Sequence, residues 1–183
     1  MSQFSEVLSN QINQAIEILQ NCFSGGGKLL VCGNGGSASD AEHITTELMK
    51  KFIIPRKGTI DGLEPGLPAI CLNSNNALIT AIANDIGYDS IFSQQINVYG
   101  APGDVLLAIS TSGKSANIIE ALRVARQNRL RIILMTGTEY ASGVNLDCAI
   151  QAEENSTHKI QEVHVKIYHE ICEKLEKHFF LGK

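Results

Sequence analysis

Five short apolar runs, at 28–32, 69–72, 105–109, 132–135 and 148–150, recur along the chain with little alternation inside them. Runs of this kind read as strands buried on both faces. The segments between them space their apolar residues as helices do. Strand and helix alternating in this way predict an α/β protein. The fold is a doubly wound parallel five-stranded sheet flanked by helices, a flavodoxin-like or Rossmann-like three-layer sandwich. Two helical patterns lie outside the alternating unit, at about 3–23 and about 157–180. Both are amphipathic, and they are expected to bury a face against another subunit. Residues 55–68 hold three of the four prolines. The flanking segments are too short to be domains, so this stretch reads as a loop and 1–183 as a single domain.

Several function classes drop out on composition. The formal net charge is −4 and aromatics make up 5% of the chain, with no Trp. A protein that binds nucleic acid by neutralising phosphates or stacking bases needs the opposite. No run approaches a membrane span, and the start MSQFSEVLSN has neither the basic nor the apolar region of a signal peptide. The expected location is cytoplasmic. Five cysteines without a CxxC pair argue against a disulfide framework or a cysteine zinc site.

In open parallel sheets, ligands bind beyond the carboxyl ends of the strands. The two most polar loops, 33–37 and 110–115, fall there. Gly33-Asn34-Gly35-Gly36-Ser37-Ala38 fits a dinucleotide fingerprint. That reading needs an acid about 20 residues on, and Phe52-Ile53-Ile54-Pro55-Arg56 has none. No nucleotide cofactor is expected. Small residues before a helix still admit an anion, and a plain tight turn would use them too. Ser110-Thr111-Ser112-Gly113-Lys114-Ser115 resembles the tail of a P-loop, but Ala108 stands where its first glycine belongs. Its hydroxyls suit a monophosphate, or merely cap a helix.

His43 and Glu47 are four apart and share a helix face. They form either half of a metal site or a surface pair. Asp40 and Glu42 beside them read as solvated. Gln161, Glu162, His164 and His169 lie on the last helix. His164 and His169 are five apart and share no face, and His169 by spacing alone suits a structural role. His158 and His178 read as exposed. Asn84-Asp85 is a polar cap or a pair of ligands.

Taken together, the blocks Cys32–Ser37, Asp40–His43 with Glu47-Leu48, Ala83–Asp85, Gly103–Leu107 with Ser110–Ser115, and Ile160–His164 resemble the phosphoheptose isomerases. These belong to the sugar isomerase (SIS) domain proteins, and the resemblance covers nearly the whole chain. It implies a SIS fold in a homotetramer with active sites where subunits meet. It implies that Asn34, Gly35, Gly36 and Ser37 form the substrate loop. Asn84 and Asp85 would contact the sugar, and Ser110, Thr111, Ser112 and Ser115 the phosphate. Glu47 and His169 would be the catalytic acid–base pair. His43, Glu47, Gln161 and His169 would hold one zinc per subunit, with Glu47 and Gln161 also touching substrate. Gln161 and His169 are about 12 Å apart along one helix. Sharing a metal therefore needs long reach, an irregular helix start or two subunits. The loop at 55–68 departs from the family pattern in length and in Pro and Gly content.

The implied reaction is an aldose–ketose isomerisation of sedoheptulose 7-phosphate to D-glycero-D-manno-heptose 7-phosphate through an enediol, for bacterial surface heptose. Two alternatives stand beside it. One is a non-catalytic SIS tetramer that binds a replication initiator protein; such relatives lack the acid and histidine at the positions of Glu47 and His169. The other is an isomerase of another phosphosugar.

Overall fold

The computed structural model describes residues 4–56, 62–140 and 143–181. Its strands are β1 (Leu29–Gly33), β2 (Ala69–Cys71), β3 (Val105–Ser110), β4 (Arg131–Thr136) and β5 (Cys148–Gln151). All pair in parallel, in the order β2-β1-β3-β4-β5. The helices are α1 (Glu6–Ser24), α2 (Gly36–Met49), α3 (Asn76–Asp85), α4 (Ser93–Tyr99), α5 (Ala116–Gln127) and α6 (Thr157–Phe180).

The apolar runs form strands because both of their faces are covered. Leu29 and Val31 of β1, with Val105, Leu107 and Ile109 of β3, pack under α1, α2 and α6. Leu30, Cys32, Leu106 and Ala108 point the other way, under α3, α4 and α5. Every residue of β1 and β3 is buried. At roughly 1.5–3 kcal/mol per large apolar side chain, that two-sided burial outweighs local helix propensity.

Some boundaries differ from the sequence reading. α2 starts at Gly36, because Gly35 takes φ +57 and turns the chain into the helix at once. Its far end stops at Met49, where Lys50 is extended. α4 begins at Ser93, after a single 3-10 turn at Tyr88–Ser90. α1 begins at Glu6, capped by the Ser5 hydroxyl. Of the loop at 55–68, residues 57–61 lie outside the described residues.

That loop is tied down at both ends by one buried ion pair. Arg56 and Glu176 meet at 2.9 Å with side chains 0% and 1% exposed. Glu176 also accepts the backbone N–H groups of Phe52, Ile53 and Ile54 at 2.7–2.9 Å. Burial pushes its carboxyl up, but these donors and Arg56 together bring it below the usual range. Arg56 donates further to the carbonyls of Leu48 and Pro65. The end of α2, the loop and α6 are thereby joined.

Candidate active site

The strand order places a topological switch between β1 and β3. α2 leaves β1 on one face of the sheet and α5 leaves β3 on the other. A crevice must open between their first turns. It is a cavity of about 280 Å³ lined from both loops, by Asn34, Gly35, Gly36, Ser37, Ser110, Thr111 and Ser115, and from α6, by Thr157 and Gln161. The two loops singled out in the sequence do share one site.

Among the described residues, no charged side chain lines this cavity. Lys114, the cation of the hydroxyl loop, points to Glu139 at 3.8 Å instead. Positive potential comes from the backbone. α2, α5 and α6 all begin here, and none has a side-chain cap on its first turn. α1 and α3 begin elsewhere and are capped by Ser5 and Asn75. Three helix starts aimed at one small space make an anion site. Ser110 and Ser115 bring their hydroxyls to 3.5 Å of each other, and Ser110 Oγ accepts the Gly113 N–H. Ser112 is exposed and accepts the Lys114 N–H.

Two residues here escaped the sequence reading. Asn117 in the first turn of α5 is 2% exposed. It exchanges two hydrogen bonds with Asn34, at 2.8 and 2.9 Å. Tyr88 donates its hydroxyl to Asn34 Oδ1 at 3.2 Å. Asn117 sits where an apolar residue is expected on the inner face of α5, and a buried amide in such a row was the available signal.

The acid–base candidates lie further along the facing helices. Glu47 Oε1 is 3.2 Å from His43 Nε2, and its other oxygen meets Lys50 at 3.1 Å. The His43 and His169 rings are 5.2 Å apart. Tyr168 OH reaches His43 Nδ1 at 3.0 Å, and Phe52 covers His169 at 5.5 Å. His169 Nε2 is buried without a hydrogen-bond partner. Burial and the neighbouring His43 lower its pKa, against an opposing pull from Glu47. His169 thus combines a lowered pKa with a buried ring nitrogen that has no partner among the described residues. Asp40 corrects the expectation of a solvated acid. It is buried, with one carboxylate oxygen unpaired, and burial raises its pKa against a hydrogen bond from Tyr168. It faces α6, which periodicity on α2 alone could not say.

His164 is fully buried and bonds Thr136 O at 3.2 Å, a core role. Asn84 and Asp85 are exposed at the end of α3, paired with each other at 2.7 Å. They do not line the anion cavity. Gln161 packs on Gly36 so closely that a Cβ there would strike its amide. Gln161 meets Gly36 as Tyr168 meets His43, seven residues on in both helices, so roughly 10 Å separates the two contacts. Within one chain, His43, Glu47 and His169 are neighbours and Gln161 is not among them. His and carboxylate donors are of the right type for zinc, and His169 Nε2 has no hydrogen-bond partner among the described residues. Among the described residues, no three His, Cys, Asp or Glu side chains converge tightly enough to hold a metal.

The fold and its paired loops, with a match to the SIS domain over residues 1–137, define a SIS-domain protein. The chain is 44% identical over 180 residues to the phosphoheptose isomerase of Shewanella sediminis, covering 96% of this chain and 87% of that one. The phosphoheptose isomerase structure from Neisseria gonorrhoeae superposes with a TM-score of 0.82 at 35% identity, over 94% of this chain and 88% of that one. The one from Francisella tularensis gives 0.84 at 35%, over 92% and 86%. The chain belongs to the phosphoheptose isomerase family.

Proposed function

We propose that this chain is an aldose–ketose isomerase that converts sedoheptulose 7-phosphate to D-glycero-D-manno-heptose 7-phosphate, in the supply of bacterial surface heptose. The observation that carries the reading is one helix with two tasks. α2 starts at the anion cavity and bears Glu47 near its other end. The cavity grips the phosphate, and binding energy there orients the reacting carbons toward the Glu47 of a neighbouring subunit.

The chemistry moves a proton between C1 and C2. Glu47 removes a proton from C1 of the ketose, giving the cis-enediol, and returns it to C2. His169, with its lowered pKa and an unpartnered ring nitrogen, exchanges the hydroxyl proton between O1 and O2 and assists ring opening. The carboxylate and imidazole roles could be exchanged without altering the balance. His43, Glu47 and His169 would hold zinc once their side chains close in on it, with Gln161 joining from another subunit or after rearrangement. When bound, the metal supplies positive charge beside the developing oxyanion.

Gly36 and Glu47 are eleven residues apart, about 16 Å of helix axis. That exceeds the length of a heptose phosphate, which supports active sites completed where subunits of a homotetramer meet. Asn84 and Asp85, exposed and outside the cavity lining in one chain, fit such a shared site. A cytoplasmic location belongs to the same proposal. Among the described residues, no helix is long and apolar enough to cross a membrane.

The test is turnover of sedoheptulose 7-phosphate to the heptose phosphate by the purified protein, repeated after chelation and zinc return. Glu47→Gln should lower kcat by about 1,000-fold or more, within the range of general-base catalysis. Inorganic phosphate should still bind, since Glu47 does not line the cavity. Full turnover by Glu47→Gln would sink the assignment.

A further inference from the structure

We propose that Asn117 is a positioning residue that sets the spacing of the two anion loops by holding Asn34, and that the Asn34 side chain does not itself contact substrate. The inference rests on reading the cavity as the phosphate subsite.

A carboxamide offers two donors and one oxygen with two lone pairs. The Asn34 oxygen is fully used, accepting from Asn117 Nδ2 at 2.8 Å and from Tyr88 OH at 3.2 Å. Its Nδ2 donates to Asn117 Oδ1 at 2.9 Å. The oxygen and one of the two N–H groups are therefore held by the protein, and Asn34 and Gly35 offer the cavity mainly backbone.

The position of this pair matters more than its strength. At the switch, α2 and α5 diverge to opposite faces of the sheet, so nothing in the regular hydrogen bonding links their first turns. The register of β1 and β3 stops at Gly33 and Ile109. Asn34 and Asn117 bridge that opening one residue further on from the β1 side. Asn73 performs the matching task on the β2 side. It accepts from Gly33 N at 3.2 Å and donates to Gly33 O at 2.8 Å. The glycine loop is thus fixed from both neighbouring strands by side-chain amides. Such part-buried, mutually bonded amides rigidify a single arrangement. An anion held by backbone dipoles needs that rigidity, because no flexible charged side chain is present to follow it.

The experiment measures inorganic phosphate binding by calorimetry, and KM and kcat with sedoheptulose 7-phosphate. The variants are Asn34→Ala, Asn117→Ala and the double variant, with Asn117→Asp as the isosteric form that replaces the donor by a carboxylate oxygen. Each single alanine variant should weaken phosphate binding and raise KM by about tenfold, leaving kcat within about threefold. Asn117→Asp should be impaired at least as much as Asn117→Ala, because its charge faces the Asn34 oxygen and the bound anion. The double variant should be no worse than the worse single, the signature of two residues acting as one unit. An Asn117→Ala or Asn117→Asp protein with native phosphate affinity and KM overturns the proposal. So does an additive double variant, or an Asn34→Ala defect far exceeding that of Asn117→Ala, which would mean direct contact. If Asn117→Ala fails to fold, Asn117→Asp and Asn34→Ala decide on the same readouts. Native protein that binds no phosphate would refute the cavity assignment instead, and phosphate binding without turnover would refute the substrate.

Discussion

His164 and His169 lie five residues apart on α6, and their surroundings give them opposite tasks. His169 borders the space shared with His43 and Glu47, whereas His164 is locked in the core beneath Thr136. Burial lowers the His164 pKa to about 4, against a hydrogen bond to the Thr136 carbonyl. In the unfolded chain it titrates near 6.5, so below that pH the unfolded state takes up a proton that the folded state refuses. Stability from this residue is complete above about pH 6.5 and falls as pH drops toward 4. The shift corresponds to about 3 kcal/mol by pH 4. Urea melts of the native protein and of His164→Gln, compared between pH 7 and pH 4.5, should show the variant losing less stability on acidification. Equal losses would show that His164 is not the group responsible. The glycine and hydroxyl loops and the His43–Glu47 pair were legible in the residues. Asn117, Tyr88 and Asp40 were not, because their partners lie on other elements, 83 residues away in the case of Asn34 and Asn117.

The elements that carry the acid and the histidine are coupled through a segment that contributes no chemistry. Arg56 and Glu176 join the end of α2 to α6, and Phe52, held there by Glu176, covers His169. Removing one partner leaves the other charged and sealed from water, which costs far more than the pair contributes net. Glu176→Gln should destabilise the protein by about 3 kcal/mol in denaturant unfolding, and a loss under about 1 kcal/mol would mean that water reaches Arg56. The strands were recognisable from sequence because burial on two faces leaves uninterrupted apolar runs. The boundary at Gly36 was less so, since it depends on the φ of Gly35. The anchoring of the loop was hidden altogether. A proline- and glycine-rich stretch gives no sign that an arginine inside it will be among the most buried side chains of the molecule.

At the scale of the whole molecule, the two halves of the candidate site lie along α2 at a separation that one substrate does not span. The proposed assembly resolves this, and it is measurable. Sedimentation equilibrium should give about four times the 19.8 kDa of the chain, and a monomer with full activity would contradict shared sites. The order of the sheet matters here as well, because it puts the starts of α2 and α5 side by side and brings α6 over them. The anion cavity that results contains no side chain that gains or loses a proton in the neutral range. A phosphate monoester does titrate there, near pH 6. On the proposed reading, the pH dependence of substrate capture is therefore written into the ligand, while that of the turnover step belongs to the other half of the site. Acidity acts on the two ends of one molecule of substrate through different owners.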